Sequence, residues 1–192
     1  MTGFNYLSQP IRNNTPPVGS SIYALVNAMR FYCLSNTPEP GTERWHDLVD
    51  RSMDGAADFD GALFLDLAAS RLGLQLEDIP VAYNEEMDTC PVWSMLLDKL
   101  PALTAISTTD IGPERRMYVL LTRTVGHRRS DPMLNIIEVI GLEGDLGPAV
   151  TTLSVEELAR LNPQWAIGVR LGYRWRIRRT LIRRIKGFFG RY

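Results

Sequence analysis

The chain has 192 residues, 45% of them hydrophobic and 22% charged, enough for one globular domain with a core of its own. Its net charge of −1 conceals a split: residues 174–192 hold eight basic side chains and no acid, leaving thirteen basic against twenty-two acidic residues in 1–173. Two cysteines make no disulfide framework or metal-ligand spacing, and no stretch reaches the roughly 20 apolar residues of a membrane span.

In chain order, residues 4–9 alternate as a short strand, and a Pro-rich loop follows to Gly19. A helix over 20–32 is capped by Ser20 or Ser21 and carries Ile22, Leu25, Val26 and Met29 on one face. Entered from a stiff loop and broadly apolar, it reads as the central packed helix. Asn36–Gly41 breaks the chain. Thr42–Met53 is a second helix with Trp45, Leu48 and Val49 inward, closed by Asp54-Gly55. Asp60–Leu72 is a third, with a stripe of Leu63, Phe64, Leu67, Ala68 and Leu72 and Gly73 as C-cap. Leu74–Ala82 is extended. Asp88-Thr89-Cys90-Pro91 opens another helix, with Trp93, Leu96, Leu97 and Leu100 inward.

From Pro101 the period changes to strands: Ala102–Ile106, Met117–Arg123, Leu134–Ile140, a weaker Val150–Leu153, and Trp165–Leu171. Ser154 and Glu157 form a capping box that opens a short helix. Helices first and an antiparallel sheet second make an α+β plan, with a body over 1–172 and a tail over 173–192.

The tail is the strongest physical signal. At helical spacing, one side collects Leu181, Ile182, Ile185, Phe188, Phe189 and Tyr192, and the other Arg179, Arg183, Arg184, Lys186 and Arg191. A basic amphipathic helix of this kind lies in a membrane interface or docks in a partner's groove. Nucleic acid is a third partner class, since arginines with Tyr173 and Trp175 grip phosphates and bases, but the acidic body opposes it. The N-terminus shows no basic region followed by an apolar run, so a cytoplasmic location, peripheral at the membrane face, is expected.

Chemistry-bearing residues are few. Cys33 and Cys90 read as reduced thiols, buried as free cysteines usually are. His46 lies on a short helix and reads as solvated or capping, and His127 sits in a polar turn with Asp131. Ser20 reads first as a helix cap, and Ser20 or Cys90 as nucleophile of an unrecognised hydrolase is the enzyme alternative. The acidic run Glu85–Asp88 lacks a cation loop's spacing, and Gly144-Asp145-Leu146-Gly147 lacks the strand, lysine and helix of a phosphate loop. No metal and no cofactor are expected.

Several local strings, taken together, resemble the bacteriocin-processing (double-glycine leader) peptidases, a papain-like family found at the N-terminus of some peptide-exporting transporters. They are Ser8-Gln9, Leu25-Val26-Asn27-Ala28-Met29-Arg30-Phe31, Arg71-Leu72-Gly73-Leu74, Leu97-Asp98-Lys99-Leu100-Pro101-Ala102 and Leu153-Ser154-Val155-Glu156-Glu157-Leu158. The resemblance spans 4–171. It implies a papain-like fold, with Gln9 in the oxyanion-hole position. It also implies departures: Ser20 stands where the family has its cysteine, with Gly19 before it, and Met117 or Arg116 stands where it has its histidine. The orienting acid would fall in Val139-Ile140-Gly141, where there is none.

Such chemistry needs a nucleophile, a base and an orienting partner in reach of one another. The resemblance therefore implies a pseudo-peptidase. Its expected role is a non-catalytic accessory subunit of a membrane assembly, able to bind a peptide in its cleft. A structural subunit of a large complex is the remaining alternative.

Overall fold

The structure, a computed structural model, describes residues 5–10, 19–56, 61–78, 99–106, 117–125, 136–142, 149–161, 163 and 166–173. Three helices come first: α1 (Ser20–Phe31), α2 (Glu43–Met53) and α3 (Ala62–Arg71). Strands β1 (Leu74–Asp78), β2 (Ala102–Ile106), β3 (Met117–Val125), β4 (Ile136–Ile140) and β5 (Val150–Ser154) follow, then the short helix α4 (Val155–Arg160) and β6 (Ala166–Leu171). The strands form one antiparallel sheet in the order β1-β6-β2-β3-β4-β5. The α+β plan is thus present.

Helix α1 is the centre of the helical layer and lies on β3. Every residue from Ser20 to Met29 is buried, on all sides of the helix and not only on the predicted stripe. The cap also differs from expectation. Gly19 is the N-cap, at φ 80°, and Ser20 is the first helical residue with its side chain directed elsewhere. At the other end Cys33 adopts φ 56° while its N–H and that of Leu34 bond the carbonyls of Arg30 and Met29. This double closure is a Schellman-type end, and it leaves Cys33 exposed rather than buried.

Helix α2 begins at Thr42, whose hydroxyl accepts the Trp45 N–H, and buries Trp45 and Leu48. Helix α3 buries Phe64, Leu65, Ala68 and Ala69, so its inward face is turned from the predicted stripe and Leu63 is 55% exposed. Gly73 follows the C-cap Leu72 at φ 71°, a conformation that suits glycine.

The sheet divides its side chains with a period of two. Leu103, Leu120, Ile140, Val169 and Leu171 pack with the three helices. Ala102, Ile106, Met117, Val119, Leu121, Ile137, Val139 and Ala166 form a second cluster with Val155 and Leu158 of α4. Strands buried on both faces read as continuous apolar runs, which is why β2 and β3 stand out in the sequence. The predicted capping box is present at α4: Ser154 accepts from Glu157 N–H, and Glu157 accepts from Ser154 N–H.

Residues 5–10 are not a strand. Their backbone is held by a helix side chain: Leu7 N–H donates to Asn27 Oδ1 at 2.7 Å and Asn27 Nδ2 donates to Leu7 carbonyl at 3.0 Å. The helix expected from Asp88, with Trp93, Leu96 and Leu97, lies outside the described residues, as does the tail 174–192.

Candidate functional site

Site geometry starts at the first turn of α1. Ser20 is 2% exposed and Gln9 6% exposed, so both polar groups need partners inside the protein. They find them in each other and in the backbone of one residue of β3. Ser20 Oγ donates to Gln9 Oε1 at 2.6 Å, Gln9 Nε2 donates to Tyr118 carbonyl at 2.5 Å, and Tyr118 N–H donates back to Ser20 Oγ at 2.8 Å. The three bonds close a ring that joins the N-terminal segment, the helical layer and the sheet.

Gly141, just after β4, completes the arrangement. Its φ is +113°, and a Cβ there would stand 2.9 Å from Gln9 Nε2. Only glycine both takes this backbone conformation and leaves room for the carboxamide. The end of β4 is therefore shaped around Gln9.

The β3 and β4 positions next to the ring are apolar. Met117, Val139 and Ile140 are each fully buried, Met117 and Val139 in the second cluster and Ile140 in the first. The proton of Ser20 points at an amide oxygen, which is not a base, so nothing in the ring raises its nucleophilicity. His46 is exposed on α2. His127, Asp131 and Cys90 lie outside the described residues, so the hydrolase alternative finds no assembled set among those described. What the ring does chemically is satisfy buried donors and acceptors and fix three elements together.

Sequence reasoning brought Ser20 and Gln9 forward but missed Tyr118 and Asn27. Asn27 had a readable signal, a side-chain amide inside an otherwise apolar helix that must find backbone partners when fully buried. Tyr118 contributes through its backbone, which no residue type announces.

Away from the ring, Glu77 on β1 accepts from Lys99 at 2.5 Å and pairs with Arg170 at 3.4 Å. The Lys99 hydrogen bond and charge, then Arg170, hold its carboxyl below the usual range. Burial, with Glu138 and Cys33 nearby, pushes the Tyr6 phenol up to about 12. Among the described residues, no three His, Cys, Asp or Glu side chains come together to hold a metal, and no helix is long and apolar enough to cross a membrane. The proposed anchoring residues Arg179, Leu181, Ile182, Arg183, Arg184, Ile185, Lys186, Phe188, Phe189 and Tyr192 lie outside the described residues.

No family model matches the chain, and no curated protein matches it significantly.

Proposed function

We propose that this chain is a non-catalytic accessory subunit. In this reading a papain-like pseudo-peptidase body (1–172) is held at the cytoplasmic face of a membrane assembly by the basic amphipathic helix of 173–192. The body engages a partner subunit or an exported peptide there.

One observation carries the non-catalytic part: the Ser20 hydroxyl is buried and committed to Gln9 and Tyr118, where a working nucleophile would face a base. The peptidase resemblance draws support from position. Gln9, the start of α1, the start of β3 and the residue closing β4 meet at one place, and these are the positions at which the resemblance would put the family's chemistry. The membrane part draws on the charge split and on the apolar and basic sides of the tail.

The test uses the full chain and synthetic peptides carrying double-glycine leaders. The reading expects no cleavage by the wild-type chain and none gained or lost on Ser20→Ala. Cleavage that Ser20→Ala abolishes, with the fold retained, would establish the hydrolase alternative instead.

A further inference from the structure

We infer that the groove between α2 and the C-terminal end of α3 is a seat for a phosphate group. The groove has a volume of about 380 Å³ and is lined by Arg44, Asp47 and Arg51 from one helix and by Ser70 and Arg71 from the other. Among the described residues its one carboxylate, Asp47, is tied to Arg51 at 2.6 Å. Arg44 and Arg71 therefore carry the surplus charge. Arg71 is also braced: a guanidinium N–H donates to the Arg51 carbonyl at 2.8 Å, which fixes the planar head and leaves further donors for an anion. Glu43 and Asp50, exposed on the same α2, do not line the groove. They disfavour a flat anionic surface laid on that helix, whereas a single phosphate reaching between the helices avoids them. Arginine is the side chain suited to this, since its fork matches a pair of phosphate oxygens.

The place of the groove in the chain adds to the argument. Gly172 N–H donates to the Gly73 carbonyl at 2.9 Å, and Gly73 follows Leu72, itself a groove residue. A Cβ on Gly172 would stand 2.6 Å from that carbonyl oxygen, so glycine is needed for the approach. Gly172 therefore lies against the residue that follows the groove's Leu72, and the basic stretch of the sequence begins just after it. The lipid form of the inference rests on the anchoring reading. A lipid phosphomonoester and free phosphate share the same chemistry, and the experiment separates them.

The full chain is titrated with inorganic phosphate and followed by amide NMR. It is also floated with vesicles of phosphatidylcholine containing either phosphatidylglycerol or phosphatidic acid at matched surface charge. Phosphate should move the amides of Arg44, Ser70 and Arg71, and phosphatidic acid vesicles should retain more chain than phosphatidylglycerol vesicles. The Arg44→Gln/Arg71→Gln variant should lose the phosphate response and bind phosphatidic acid vesicles about 25-fold more weakly, at about fivefold per basic residue. Arg44→Gln alone, which removes no hydrogen bond that braces Arg71, should lose about fivefold. Unmoved amides together with unchanged vesicle binding by both variants would overturn the seat while leaving a tail-driven anchor standing. Amides that move while neither anionic vesicle retains the chain would support a free-phosphate seat and remove the anchor instead.

Discussion

The Ser20 hydroxyl and the Gln9 carboxamide are joined by a 2.6 Å hydrogen bond that ties the first turn of α1 to the segment before it. Each is buried, and each also bonds the Tyr118 backbone of β3, Ser20 at its N–H and Gln9 at its carbonyl. The first turn of α1 is thereby closed onto Gln9 and β3.

Ser20→Ala should therefore act on stability. It strands the Gln9 carboxamide oxygen and the Tyr118 N–H in a buried site, a loss of about 1–3 kcal/mol. Denaturant melts should show a lower midpoint with an unchanged slope, and Tm should fall by about 2–4 °C for each kcal/mol.

Gly141→Ala should destabilise by a similar amount, about 1–3 kcal/mol, because an L side chain is placed at φ +113° and against Gln9 Nε2. Part of that cost is the collision. Combining it with Gln9→Ala should recover about 1 kcal/mol relative to the sum of the single variants, measured as a double-mutant cycle. Strict additivity would mean that the two residues do not oppose each other.

Asn27→Ala removes both bonds to the Leu7 peptide units. Residues 5–10 have no ladder to fall back on, so amide exchange at Leu7 should accelerate by tenfold or more, a change of at least about 1.4 kcal/mol in local opening. Exchange in the middle of β3 should change far less.

Acid sensitivity should concentrate partly at Glu77. Its folded-state carboxyl is held below the ordinary value by Lys99 and Arg170. The sign follows: its contribution is present above the ordinary glutamate value and is lost as pH falls through the depressed folded value. Unfolding midpoints measured from pH 7 down to pH 3 should fall less steeply for Glu77→Gln than for the wild-type chain.

Much of the architecture was legible from pattern. The helix–strand order, the capping box at Ser154 and the strands at β2, β3, β4 and β6 follow from apolar period and turn residues. The misses have a common cause, which is that tertiary partners override local preference. Residues 4–9 alternate like a strand, yet among the described residues 5–10 Asn27 takes both backbone groups of Leu7 and no ladder forms. Ser20 has the chemistry of a cap, yet Gln9 and Tyr118 compete for its hydroxyl and Gly19 takes the cap. Cys33 has the composition of a core residue but stands at a left-handed helix end in solvent. The meeting of Gln9 with Gly141 depends on the pairing of β3 with β4, which no local stretch encodes.

The most direct test of the central claim is membrane fractionation of the full chain beside a variant with Arg179, Arg183, Arg184 and Lys186 changed to Gln. Both are followed by native pull-down from gently solubilised membranes. The account predicts that the wild-type chain sediments with membranes and brings down a defined complex, while the variant stays folded and does neither. Equal recovery of the same partners by both, with no membrane association of either, would contradict it.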